Sequence, residues 1–503
     1  MNMNKRMIFW TLIFLVFYLP NCKIFSQEHT LNTESEKNRS AGSPKINSEK
    51  ISAQDLLNSP LNGDWLMYHG DYSAKRFSPL RQIDSGNVQE LVPKWTYQIN
   101  NGKSNLRSSP VVFKGIMYVT GSDEVHALDA ATGTWLWIWK ARNEKIDRIN
   151  RGVAVYGDKI FFSTSDCYLV ALNRFSGNLV WSKQYAQPSQ GYYSTMAPLV
   201  VNGRVILGIS NQNTGSRGFV AAFSSSTGKE LWRFWATPEG VRGAPTWMTG
   251  SYDPGLDVLY WAVGNLKIDS KIEPKITAVY DNSVVALGPK NGKLIWATRL
   301  GDNMPYDWWD ANEPLVLADL KMGRTMKKVV LQAHRNGMFF LINRVNGELL
   351  LSKPYVEKIN WSRNDTCPSM WGATNWMSPS FSSTEELFYV MVYEGCMNQP
   401  NRFHVKAIEP RSGKIVWDYP TEGSNLAASG VLTTAGGLVF SGEGSGRIIA
   451  LDAKSGKRVW VFVAEKTMFS SPMTFISQGR QFVSVVAGTD VLTFGLRNDG
   501  KGF

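Results

Sequence analysis

Cysteine is scarce in this 503-residue chain: Cys22, Cys167, Cys367 and Cys396 are the whole set, and no CxxCH run occurs. A covalently attached c-type haem is thereby excluded. Charged residues are also few, at 19%. Lys and Arg exceed Asp and Glu enough to give a net charge of +12, yet they are scattered among turns and form no stripe. A nucleic-acid interface is therefore not the expectation, while a basic surface that attracts an acidic protein or a membrane surface stays open. Long hydrophobic runs are missing as well. The one apolar run, Met7–Leu19 behind Lys5 and Arg6, is too short to span a bilayer comfortably and has the form of an export signal.

Tryptophan is abundant, at 19 copies, and the apolar fraction is 43%. Large aromatics in a weakly charged chain favour a β-rich fold over a helical bundle. We expect a signal peptide over residues 1–27, with Cys22 in "LPNC" as a possible lipid anchor, although Pro20 and Asn21 are unusual in such a box. Residues 28–62 are rich in Ser, Asn, Lys and Glu. Such a composition buries too little surface to offset its ordering entropy and predicts a flexible leader.

Six windows then share one template, Ala, Gly six residues on, and Trp four after that: "ALDAATGTWLW" (127–137), "ALNRFSGNLVW" (171–181), "AFSSSTGKELW" (222–232), "ALGPKNGKLIW" (286–296), "AIEPRSGKIVW" (407–417) and "ALDAKSGKRVW" (450–460). A seventh, "LINRVNGELLL" (341–351), has lost the Trp. Each reads as a hairpin: a short apolar strand, a turn where Gly accepts positive φ, and a second strand whose Trp packs inward. The glycines recur 43 residues apart at Gly413 and Gly456 and 66 apart at Gly347 and Gly413. That is about one four-stranded sheet with its loops per copy, the spacing of a β-propeller. With an eighth blade closed from "LVPKWTYQI" and "FVSVVAGTDVLTFGL", the chain is expected to be all-β, an eight-bladed β-propeller of antiparallel sheets over residues 63–498.

The repeat resembles the tryptophan-docking motif of the quinoprotein alcohol dehydrogenases, propellers that use pyrroloquinoline quinone (PQQ). Non-repeat segments extend the likeness: "DWLMYHGDYSAKRFSPLRQIDSGNVQELVPKW" (64–95), "TWMTGSYDPGLDVLYWAVGN" (246–265) and "LTTAGGLVFSGEGSGRIIALD" (432–452). The resemblance implies that Trp247 lies flat against the PQQ ring. It implies that Arg151 and Thr195 hold cofactor carboxylates and carbonyls, and that Arg335 stands beside the reactive quinone oxygens. Asn265 matches a calcium ligand. Asn375 and Trp376 match a segment at the cofactor's edge, and Cys367 and Cys396 match a family disulfide. Cys167 is then free, and is expected buried in a strand.

"YDWWDANEP" (306–314) resembles the family's H-D-x-W-D-[FY]-D-x-x-N-E-P. Asp310 is the candidate catalytic base, though the shorter segment lets it align with either family aspartate of "WDxD". It would also ligate the metal. The chain departs from the pattern in three respects. Asn213 stands where an acidic calcium ligand is expected, which predicts weakened cation binding. Lys145 and Ile146 replace an adjacent-cysteine pair. Arg107 replaces a Glu and is free to pair with a PQQ carboxylate.

The activity implied is a periplasmic, PQQ- and calcium-dependent oxidation of a small alcohol, with electrons passed to a soluble cytochrome c. The competing class is a cofactor-free envelope scaffold resembling outer-membrane assembly lipoproteins. Trp247, Asn265, Asp310 and Arg335 together discriminate the two.

Overall fold

Each template alanine faces its tryptophan directly across a strand pair: Ala127 opposite Trp137, Ala171 opposite Trp181, Ala222 opposite Trp232, Ala286 opposite Trp296, Ala407 opposite Trp417 and Ala450 opposite Trp460. A β-bulge accompanies every one of these pairs. The ten-residue interval in the sequence is thus a hairpin register, with one extra residue that twists the outer strand. The computed structural model describes residues 49–99, 106–141, 148–211, 216–266, 279–301, 310–362, 365–400, 402–423 and 429–497. The signal segment 1–27 with Cys22, and Lys145, Ile146, Asn213 and Asp307, lie outside the described residues.

Eight sheets follow one another along the chain. Blades 1 to 7 occupy residues 111–140, 154–184, 199–235, 251–299, 316–354, 380–420 and 432–463. Blade 8 combines the three strands of 473–496 with Leu91–Gln98, which pairs antiparallel with Asp490–Leu496 and so closes the ring from both ends of the propeller. Inner strands such as Ile116–Thr120 and Val258–Val263 are buried at every position because neighbouring blades cover both faces. Outer strands such as Leu294–Arg299 alternate half-buried and exposed.

The repeat tryptophans pack sideways onto the next blade. Trp95 donates its indole N–H to Ala130 O at 3.2 Å, Trp137 to Arg174 O at 3.1 Å, Trp232 to Pro289 O at 3.0 Å and Trp417 to Ala453 O at 3.0 Å. The ring of each lies over the next blade's template glycine. A Cβ on Gly133, whose φ is +74°, would sit 2.6 Å from Trp95. Space and backbone conformation therefore both demand glycine there. Between blades 5 and 6, where the template has Leu351, Gly413 meets Lys353 and Leu351 side chains instead.

Residues 49–62, the described part of the expected leader, pack on the propeller, and this corrects that reading over those residues. Ile51 and Gly157 of blade 2 exchange two backbone hydrogen bonds. Ser52 and Asp55 form a capping box for the helix Ala53–Asn58, which buries Leu56. The chain then runs on as a strap. Gly63 O accepts from Ile476 of blade 8, Trp65 pairs with Val112 of blade 1, and Tyr72 Oη donates to Val200 O of blade 3. Tyr72 O, Ser73 O, Lys75 O and Arg76 O accept from Tyr252, Leu317, Phe381 and Thr433, in blades 4, 5, 6 and 7. All eight blades are tied to one segment.

Cys367 and Cys396 form a disulfide between the blade 5–6 connection and blade 6. Cys167 is free and buried, but it sits in the turn before Tyr168–Asn173 at φ +67°, not in a strand. Burial pushes its thiol up to about 12.

Candidate active site

In an antiparallel blade, the connection entering the innermost strand and the hairpin between the second and third strands lie at the same end. Arg107, Arg151, Thr195, Trp247, Asp310 and Trp376 all occupy entering connections, while Arg335 is in the hairpin between Thr325–Ala333 and Met338–Asn343. Topology alone therefore brings residues from distant parts of the chain to one face of the ring.

The centre is Asp310, only 2% exposed. Its Oδ1 accepts from Arg335 Nη1 at 2.9 Å, and its Oδ2 accepts from the Trp247 indole at 3.3 Å and from Asn312 Nδ2 at 3.1 Å. Arg335 also donates to the carbonyls of Met370 and Trp371, at 3.3 and 3.4 Å. The Arg151 guanidinium lies 4.8 Å over the Trp247 ring and donates at 2.8 Å to both the carbonyl and the hydroxyl of Thr195. A continuous path of contacts thus joins Arg335, Asp310, Trp247, Arg151 and Thr195.

A second group stands beside it. Arg107 stacks 3.7 Å over the Trp376 ring and lies 5.5 Å from that of Phe469. Burial, and then the charge of Arg151, lower the Arg107 pKa. Asn375 is buried next to Trp376. Asn265 adjoins the centre through Gly264: a Cβ there would meet Asn312 Nδ2 at 2.3 Å and Asp310 Cβ at 3.0 Å. The Asn265 carbonyl accepts from Ala244 at 2.6 Å, while its side-chain nitrogen is buried without a partner.

Glu313 is 2% exposed; neither carboxyl oxygen makes a well-formed hydrogen bond, although the backbone N–H groups of Glu313 and Arg335 approach it. Burial raises its pKa well above the usual carboxylate range, the charge of Asp310 raises it further, and Arg335 opposes both. Burial therefore disfavours its ionised form.

Three residues that motif reading passed over belong here. The Tyr68 hydroxyl lies against Arg151 and favours its charge. Tyr393 feels the charges of both Arg107 and Arg335. Tyr193, half-buried, faces Arg148 at 4.3 Å and feels Arg151 and Asp310. Tyr68 was inside a quoted signature, whereas Tyr393 sits in an unremarkable strand, Leu387–Glu394.

The cradle has the chemistry to hold a flat polyanion. The guanidiniums of buried Arg151 and Arg335 and half-buried Arg107 line it, among the described residues only Arg335 of the three is paired with a carboxylate, and Arg151 Nε, Arg335 Nε and the Trp376 indole N–H are buried donors without partners. PQQ, a planar tricarboxylate with adjacent quinone oxygens, fits that donor set. A calcium ion fits it less well. Calcium takes about six to eight oxygens, and the described residues proposed for it are Asp310, already engaged with three donors, and Asn265. Asp365 lies within 4.8 Å of both disulfide sulfurs, but bonded sulfurs are not thiolate ligands. A separate cavity of 180 Å³, bordered by Lys75, Asp319, Arg344 and Glu386, shares none of these residues. Arg344 there is already paired with Asp253 at 2.6 Å and Asp319 at 2.8 Å.

Residues 65–357 match the family model described as the glucose/ethanol/alcohol dehydrogenase β-propeller domain of the PQQ type. Residues 401–500 match the model of outer membrane protein assembly factor BamB. Among curated proteins, the chain is 32% identical to quinohemoprotein alcohol dehydrogenase ADH IIB of Pseudomonas putida, over 85% of this chain and 73% of that one. It is also 32% identical to quinoprotein alcohol dehydrogenase PedH of Pseudomonas putida, over 87% of this chain and 88% of that one. The solved quinohemoprotein alcohol dehydrogenase of Comamonas testosteroni superposes with a TM-score of 0.81 at 26% identity, covering 90% of this chain and 83% of that one. BamB of Moraxella catarrhalis shares the fold alone, at 13% identity and a TM-score of 0.53.

Proposed function

Because the chain belongs to the PQQ-type glucose/ethanol/alcohol dehydrogenase β-propeller family, we propose that it is a quinoprotein alcohol dehydrogenase whose base is Asp310. The observation that carries this reading is the convergence of Arg335, Trp247 and Asn312 on one buried carboxylate beside an arginine-rich cradle. Arg107, Arg151 and Thr195 hold the cofactor's anionic edge, Trp247 and Trp376 give it flat apolar faces, and Asn375 borders it. PQQ supplies, when bound, an electrophilic carbonyl that accepts hydride from the alcohol carbon.

The chain's own part is proton transfer and charge placement. Asp310 takes the hydroxyl proton. Burial and the Asp310 charge disfavour the ionised form of Glu313, and this favours Asp310 over its neighbour as the acceptor. Arg335 orients Asp310 before the transfer, then stabilises negative charge arising beside it. Calcium, if it joins the site, would use Asp310, Asn265 and the position of Asn213. We place the protein in the periplasm, exported and optionally lipid-anchored at Cys22, with a small alcohol as substrate and a soluble cytochrome c as acceptor.

The BamB match favours a second reading, a cofactor-free scaffold. It covers blades 7 and 8 and part of blade 6, whereas Arg107, Arg151, Trp247, Asp310 and Arg335 all lie within the dehydrogenase match. Reconstitution with PQQ separates the two readings. A bound-quinone absorption band at micromolar cofactor supports the enzyme, and its absence supports the scaffold. In the loaded protein Asp310→Asn should lower single-turnover quinone reduction on the order of a hundredfold. A rate within threefold of wild type would remove Asp310 as the base.

A further inference from the structure

Arg76 is among the most deeply buried side chains of the molecule, with 0% exposure, and its backbone is strained at φ +45°. Among the described residues no carboxylate pairs with it. Its guanidinium is satisfied by carbonyls instead: Nη1 donates to Tyr68 O at 2.6 Å, Nη2 to Pro472 O at 2.5 Å and Nε to Val431 O at 3.3 Å. The Trp65 ring lies 5.3 Å from its Cζ. Burial lowers its pKa to about 10. A buried cation without a counter-ion is costly, so a fold that keeps one invites the question of what it holds.

Its bonds have three destinations. Val431 and Pro472 are at or near the entrances to the innermost strands of blades 7 and 8, and Tyr68 belongs to the strap. Tyr68 is the member that reaches the cradle. It is 3% exposed, packs in the same apolar cluster as Trp376, Met248 and Trp247, and sets its hydroxyl against Arg151. Arg151 in turn covers the Trp247 face.

We propose that Arg76 is a positioning residue for the cofactor cradle: by fixing the Tyr68 carbonyl it sets the Tyr68 hydroxyl, which orients Arg151 over Trp247. Cofactor affinity then depends on a side chain that reaches the cradle only through Tyr68. The fork geometry of arginine is essential to this role, because one ammonium cannot reproduce three diverging N–H bonds. The proposal rests on the PQQ reading above, and the experiment separates the two.

The test is a double-mutant cycle on PQQ affinity, read by quenching of intrinsic fluorescence during titration of folded apo-protein. Arg76→Lys and Tyr68→Phe should each weaken PQQ binding about tenfold. The double variant should be no more than about twofold weaker than Tyr68→Phe alone, because the path is already cut. A purely structural Arg76 would lower the unfolding midpoint and leave affinity unchanged, which overturns the proposal. So does an Arg76→Lys loss of the same size in both backgrounds. If Arg76→Lys does not fold, Tyr68→Phe decides by itself: it leaves the backbone carbonyl bonded to Arg76, so a tenfold loss supports the path and unchanged affinity overturns it. Wild-type protein that fails to bind PQQ refutes the cofactor reading and this proposal with it.

Discussion

Glu313→Gln isolates the energetic cost of a buried neutral acid. The wild-type carboxyl is 2% exposed, neither of its oxygens makes a well-formed hydrogen bond, and burial and the Asp310 charge hold its pKa well above 4.5 against the pull of Arg335 and of the nearby backbone N–H groups. The unfolded chain releases this proton above about pH 4.5, whereas the folded protein retains it. Between the two pKa values the folded state therefore binds one more proton than the unfolded state. Wild-type stability must fall as pH rises through that window, by about 1.4 kcal/mol per pH unit. A glutamine of nearly the same size does not titrate. Above about pH 5 the difference in unfolding free energy should therefore shift in favour of the variant as pH rises. Urea midpoints at fixed ionic strength, with equal m-values in the two proteins, measure it. Asp310→Asn serves as a control: it removes the second cause of the shift, so the window narrows at its alkaline end. Parallel pH profiles for wild type and Glu313→Gln would refute the neutral-acid argument, and with it the reason given for excluding Glu313 as a proton acceptor.

Trp247→Ala should cost PQQ affinity more than stability, whereas Trp232→Ala, which removes a buried indole and its 3.0 Å bond to Pro289, should destabilise by roughly 3–5 kcal/mol; paired titrations and urea melts distinguish them. Gly133→Ala places a Cβ against Trp95 at positive φ and should lower stability by about 2 kcal/mol or more, with a lower thermal midpoint and no direct change at the cradle. Replacing Cys367 and Cys396 together by Ser opens a crosslink of sequence separation 29 and should cost about 3.6 kcal/mol by loop entropy, read as a shifted urea midpoint.

The ring was legible in the sequence because its energetics repeat. An alanine opposite a tryptophan, a bulge, and a positive-φ glycine under the next indole recur at nearly every seam, and one strand hairpin predicts the next. The strap was not legible for the opposite reason. Each of its residues answers to a different blade, so nothing in Tyr72–Arg76 recurs, and its low aromatic content upstream suggested a leader. Ile51 and Leu56, two apolar residues beside a capping box, carry the packing that bulk composition concealed. At the site, motif matching named Asp310, Arg335, Trp247, Arg151 and Thr195, and the structure places them in contact. The raised pKa of Glu313 and the reach of Tyr68 depend on burial and orientation, which no spacing encodes.

A ring of eight identical seams would have no preferred place to part. The seam between blades 5 and 6 breaks that symmetry, since Leu351 stands where an indole would seat on Gly413. Beside this seam the Cys367–Cys396 bond ties the blade 5–6 connection to blade 6, and Arg335 of blade 5 reaches the carbonyls of Met370 and Trp371 in that connection. A covalent tie thus lies beside the seam that lacks its aromatic wedge, on the connection that also carries Trp376 and the carbonyls held by Arg335. Opening it with a reductant should loosen this seam before the other seven, and the loss should be felt first at Arg335 and Trp376.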